Sequence, residues 1–162
     1  MTTQSNPLIK LLVNNKPIQT FFHNGEWYIV GKPDTEYTIR IKNPSMFARA
    51  EAIVSVDGND VITGKPAGSE STGYIINPDS HIDIKGFRIN ESSVRRFKFA
   101  DAASSYAAKK AAAEGDTSPL NTGVIGCMMY NEYIPLYYGV SRTINKIFLN
   151  KSVPLSYDHD ST

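Results

Sequence analysis

Apolar residues in this chain fall in short runs that alternate with polar ones, and turn-forming pairs separate the runs. Over Glu36–Lys42, Tyr37, Ile39 and Ile41 alternate with Thr38, Arg40 and Lys42, the period of two that gives a strand one buried and one wet face. Ala48, Ala50, Ala52, Val54 and Val56 make a second such face opposite Arg49, Glu51 and Ser55, and Ile53 breaks the alternation on the outer side. His81–Ile84 and residues 96–99 repeat the pattern, with Ile82 and Ile84, then Phe97 and Phe99, predicted to point inward. Residues 8–13 form a compact apolar run closed by Asn14-Asn15, whose side chains tolerate left-handed backbone angles. Asn24-Gly25 splits residues 17–23 from Glu26–Val30, which predicts a hairpin with a two-residue type I′ loop. Asp57-Gly58 marks a similar turn.

Residues 101–115 depart from this rhythm. Their alanines favour a helix that could end at Gly115, yet large apolar residues to anchor it are few. A short helical turn or loop insertion is expected there. No internal repeat or linker divides the chain. The spacing of the runs predicts an all-β fold, an antiparallel sandwich of about eight strands with jelly-roll or immunoglobulin-like topology. Residues 1–7 read as a flexible N-terminus, 8–138 as the sandwich, and 139–162 as a C-terminal extension or arm containing the apolar run Ile147, Phe148 and Leu149.

At 162 residues one domain can bury roughly two-thirds of its unfolded surface, enough to fold without disulfides or metal. Seventeen Lys and Arg against sixteen Asp and Glu leave a net charge of +1, so no global field recruits nucleic acid, anionic lipid or an acidic substrate. The single Cys127 lies in an apolar run and reads as a small buried hydrophobe. No run reaches the ~18 apolar residues of a membrane span, and the first residues carry no basic-then-apolar export signal. The expected place of synthesis is the cytoplasm.

Motifs that would carry chemistry fail on spacing. Gly58 to Gly64-Lys65 imitates a phosphate-binding loop, but five residues separate the glycines and Pro66 replaces the magnesium-binding hydroxyl. Asp57, Asn59 and Asp60 lack the alternate spacing and terminal acid of a calcium loop. His23, His81 and His159 are scattered, without cysteines to complete a metal site. Asp79 and Asp83 form no hydrolytic pair, and Ser104-Ser105-Tyr106 is the only hydroxyl cluster to watch. No catalytic, cofactor or metal residue is therefore assigned. Arg95, Arg96 and Lys98 interleave with Phe87, Phe97 and Phe99 near Arg88, but alternation puts the phenylalanines inside and the charges outside. A nucleic-acid platform is not expected from this group.

Two aromatic groups remain. Tyr130, Tyr133, Tyr137 and Tyr138 crowd one segment, and tyrosine is enriched at interfaces. Together with Ile147, Phe148 and Leu149 they are the candidate interface residues. Trp27, Tyr28 and Tyr74 are candidate stacking residues for the alternative, a carbohydrate- or surface-binding module.

Ordered motifs run through the middle of the chain: V-S-V-D-G-x-x-V-x-x-G-x-P-A at 54–67, G-Y-x-x-x-P at 73–78, I-x-G-F-R at 84–88, V-x-x-F-x-F at 94–99, S-Y-A-A at 105–108 and N-x-G-V-I-G at 121–126. Together they resemble a widespread family of uncharacterised bacterial domains, also met in viruses and phages, over roughly residues 36–132. The resemblance implies a β-sandwich and names no reaction. Missing an export signal, and with additional segments at both ends, this chain is expected to be a non-enzymatic virion protein of a bacteriophage, a capsid-decorating or minor capsid or tail component. Its expected partners are other virion proteins, a homo-oligomer among them, and its expected location is the virion.

Overall fold

The computed structural model describes residues 2–3, 6, 8–100, 109, 112–115, 122–133 and 144–152. Among them the strands are β1 (Thr2–Thr3), β2 (Ile9–Val13), β3 (Lys16–Pro17), β4 (Thr20–His23), β5 (Glu26–Val30), β6 (Glu36–Lys42) and β7 (Ala50–Val56). There follow β8 (Asn59–Asp60), β9 (Tyr74–Ile76), β10 (His81–Ile84), β11 (Gly86–Arg88), β12 (Val94–Lys98), β13 (Val124–Asn131) and β14 (Ile144–Ser152). They form two sheets. The larger runs β1-β4-β5-β14-β13-β7-β8, with β9 also on β7; the smaller runs β11-β12-β6-β2-β3, with β10 also on β6.

The expected all-β sandwich is what forms. β7 and β6 are the spines, each with one long partner on one edge and two short strands in succession on the other. Their inward faces meet: Tyr37, Ile39 and Ile41 from β6, and Ile9 and Leu11 from β2, pack with Ala52 and Val54 from β7 and Ile125, Cys127 and Met129 from β13. Phe97 and Phe99 are buried as predicted, and Tyr37 stacks on Phe97 at 5.4 Å between centroids. The Asn24-Gly25 turn has φ of 49° and 80° and the Asp57-Gly58 turn 52° and 80°, the left-handed pairs that a type I′ loop requires. Residues 109 and 112–114 are helical and Gly115 has φ of 68°; the rest of the expected 101–115 insertion lies outside the described residues.

Two boundaries need correction. The apolar run in the expected C-terminal arm belongs to β14, which lies inside the larger sheet, antiparallel to β13 along seven residue pairs and parallel to β5 along four. Leu149 is fully buried. A strand whose inward residues are Ile147, Leu149 and Lys151 completes the core, so Ile144–Ser152 is part of the domain. At the other end, the described residues of the expected flexible terminus are also tied down. Thr2–Thr3 pairs with β4, and the buried Asn6 accepts the Leu8 and Ile9 amides on Oδ1, both at 3.0 Å.

β14 also brings in a buried charge. Lys151 Nζ lies 3.0 Å from Asp57 Oδ1, with the side chains only 9% and 11% exposed. The ammonium also donates to the Tyr37 hydroxyl at 3.4 Å, so the pair connects the two sheets. Asp57 Oδ1 accepts the Gly123 amide at 2.7 Å, and the Asp57 amide donates to the Val124 carbonyl at 2.9 Å. Burial first, and then the Asp57 charge, push the Tyr37 hydroxyl far above the ordinary phenol range.

Candidate functional site

The two outer faces differ in chemistry. The smaller sheet carries three ion pairs: Arg40 grips Asp83 through two bonds of 2.7 Å, Lys42 reaches Asp79 in the turn before β10 at 2.6 Å, and Arg96 meets Glu36 at 3.1 Å. Such a face is content in water. The Arg40 guanidinium, through its hydrogen bonds, holds the Asp83 carboxyl below its usual range.

On the larger sheet the outward face mixes apolar with polar residues, Lys146 standing opposite Met128 and Ser55 opposite Gly126. Register places Phe148 opposite Gly126, Met128 opposite Ile53, and Tyr130 opposite Glu51, with Ile75 on the far side of Glu51. The result is an apolar band across β14, β13, β7 and β9; Val30 on β5 also faces outward, opposite Ser152 and separated from Phe148 by Asn150. Val30, Ile75 and Phe148 are 53%, 58% and 59% exposed, while Met128 and Tyr130 are half-buried. Gly126 makes room for this arrangement, because a side chain there would press on Ser55 Oγ and the Phe148 ring.

At the β9 end the band meets a cleft of about 520 Å³. Its lining includes Ile53, Ile75 and Tyr130 together with Arg49, Glu51, Glu70 and Glu132. Arg49 holds Glu132 in a two-bond pair of 3.0 and 2.6 Å, which keeps the Glu132 carboxyl below its ordinary range. Glu51 is fixed by accepting the Gly73 amide on Oε1 at 2.8 Å. The loop before β7 is held by Asn43, which is fully buried. Its amide donates to the carbonyls of Ala48, Ile76 and Asn77, binding that loop to the end of β9.

The predicted interface residues separate. Tyr130 and Phe148 lie on the outer band, and Tyr133 is exposed just beyond it. Ile147 and Leu149 face the core, the second completely; alternation along β14 excludes all three neighbours from sharing one surface. Tyr137 and Tyr138 lie outside the described residues. Of the glycan-stacking candidates, Trp27 turns inward against Phe22 and the core. Tyr74 packs on the core and carries the Arg88 guanidinium over its ring at 5.3 Å. Tyr28 is on the outer side, its hydroxyl donating to Glu26 at 2.7 Å.

Val30, Ile75, Glu70 and Glu132 were not singled out in the sequence, and Arg49 and Glu51 were read there only as the polar side of their strand. The one signal was Ile53, an apolar residue on the polar side of its strand. Asp60 is buried, and its Oδ1 accepts the Ile62 and Thr63 amides, each at 2.8 Å, as a turn cap. Among the described residues no group of three or more His, Cys, Asp or Glu is placed to hold a metal ion. Among them, too, no helix is long and apolar enough to cross a membrane. Ser104, Ser105, Tyr106 and His159 lie outside the described residues. Comparison of the chain with known protein families, with curated proteins and with solved structures finds no match.

Proposed function

We propose that this chain is a non-enzymatic structural protein of a bacteriophage virion, a capsid-decorating or minor capsid or tail component that docks through the outer face of its larger sheet. The contrast between the two outer faces carries the reading: one carries the Arg40–Asp83, Lys42–Asp79 and Arg96–Glu36 ion pairs, the other presents Val30, Ile75 and Phe148 to solvent. Covering an exposed side chain of this size contributes on the order of 1–2 kcal/mol. Repeated over many copies in a shell or tube, such weak contacts add up to a firm attachment. The resemblance to domains also met in viruses and phages makes the virion the assembly proposed here. With β14 inside the sheet, the contacts come from a preformed face, which loses less ordering entropy on binding than an arm.

The test is mass spectrometry of phage particles purified from the source of this chain, followed by retention of the V30S/I75S/F148S variant. Presence of the wild type in stoichiometric amount, and loss of the variant with its folding intact, is the expected result. Absence of the wild-type chain from purified particles would overturn the reading.

A further inference from the structure

The cleft beside β9 has a charge balance that names its occupant. Its lining holds three carboxylates, from Glu51, Glu70 and Glu132, against the single guanidinium of Arg49. Arg49 is consumed by the two-bond pair with Glu132. Glu51 spends one oxygen on the Gly73 amide and keeps the other, and neither Glu51 nor Glu70 pairs with a cation among the described residues. Among the described lining residues, an anion meets excess negative charge and no unused positive partner. A cation meets two carboxylates, one of them already oriented by the backbone.

The remaining lining is apolar or aromatic, with Ile53 as a buried floor and Ile75 and Tyr130 at the sides. A planar guanidinium satisfies both parts, because it bonds a carboxylate edge-on while its face lies against an aromatic ring or aliphatic wall. We infer that this cleft receives an arginine side chain from a partner protein, clamped by Glu51 and Glu70 against Tyr130 and Ile75. The inference rests on the docking role proposed for this face and adds the chemistry of the partner: an exposed segment bearing arginine, set beside an apolar patch that covers Phe148.

The experiment titrates the isotopically labelled full chain with acetyl-Gly-Arg-Gly amide and with the same peptide carrying citrulline, which keeps the shape and loses the charge. Backbone and methyl spectra are followed. The arginine peptide is expected to shift the Gly73 amide and the Ile53 and Ile75 methyls, with a Kd on the order of millimolar for so small a probe, weakening as salt is raised. The citrulline peptide should bind at least about fivefold more weakly, and a lysine peptide should fall between them. E51Q and E70Q should each weaken the arginine peptide several-fold; in E51Q the side-chain carbonyl can still accept the Gly73 amide, so the spectrum away from the cleft reports that the fold is kept. Equal binding of arginine and citrulline peptides, or no shift at the cleft, overturns the inference. So does a larger shift with N-acetylglucosamine or methyl glucoside, which would make the cleft a neutral glycan site. The two proposals fail separately. Particles that retain E51Q/E70Q but lose the Phe148 variant would leave the docking face standing without the arginine clamp. Peptide binding by a chain absent from particles would do the reverse.

Discussion

Replacing Lys151 with methionine removes one half of the most deeply buried ion pair among the described residues, with side chains only 9% and 11% exposed. Asp57 then keeps its charge and its bond from Gly123 but loses its counter-ion in a low-dielectric site. Breaking a buried pair from one side costs about 3–5 kcal/mol, and the residual tenth of exposure puts K151M near the lower end, about 3 kcal/mol. For a chain of this size that is a fall in Tm of roughly 6–12 °C. D57N makes the same test from the other side. Asparagine tolerates the left-handed backbone of position 57, where φ is 52°, and its carbonyl can still accept the Gly123 amide, so the loss reflects the stranded ammonium. The double variant D57N/K151M has no buried charge to strand, and methionine fills the space of the lysine stem beside Tyr37. It should lie within about 1.5 kcal/mol of wild type, which makes the coupling between the two sites at least about 2 kcal/mol. Urea unfolding followed by the fluorescence of the single tryptophan, Trp27, opposite Leu149 in the β5–β14 pairing, reads all four proteins. Single losses that add to the double within about 0.5 kcal/mol would refute the pair as a linked unit.

Burial pushes the Cys127 thiol from 9.0 up to about 12. The folded state therefore keeps a proton that the unfolded chain releases, so this contribution is complete below pH 9 and declines by about 1.4 kcal/mol per pH unit up to the folded value. Between pH 8 and 10.5 wild type should lose about 2 kcal/mol more than C127V; urea midpoints that fall in parallel would refute this, and comparison with C127V removes the parallel contribution of Tyr37. Gly86→Ala should destabilise by at least about 3 kcal/mol, because a methyl there overlaps the Arg95 carbonyl and the Arg96 Cα across the β11–β12 pairing, and backbone cannot swing aside; a loss under about 1 kcal/mol in thermal unfolding contradicts that packing. Truncation before Ile144 should abolish cooperative unfolding, since it removes the strand between β13 and β5. A truncated chain with a sharp thermal transition near that of wild type would show that β14 is dispensable.

Much of the fold could be read locally. The alternation in β6 and β7, the turns at Asn24-Gly25 and Asp57-Gly58, and the inward Phe97 and Phe99 all follow from backbone sterics and a two-residue period, which involve neighbours in sequence. The glycine of I-x-G-F-R had no local explanation; Gly86 is required by the backbone of β12, ten residues away. The candidate site was only partly visible. Tyr130 and Phe148 were found by residue type, but the same reasoning swept in Leu149, because an apolar run reveals its strand and conceals which face is covered.

What the amino-acid sequence determined by itself is the inventory of strands and turns and the two-sided character of most strands. What only the tertiary structure decided is which strands are neighbours. Residues 147–149 would read identically in a loose arm or a central strand, and their placement depends on β5, more than a hundred residues earlier, and on β13 offering complementary edges at the same time. That choice sets Phe148 outward beside Met128, buries Leu149, and carries Lys151 to Asp57. Strand periodicity is a short-range property of the backbone, whereas pairing is selected by the joint burial of distant side chains, a quantity that no single segment contains.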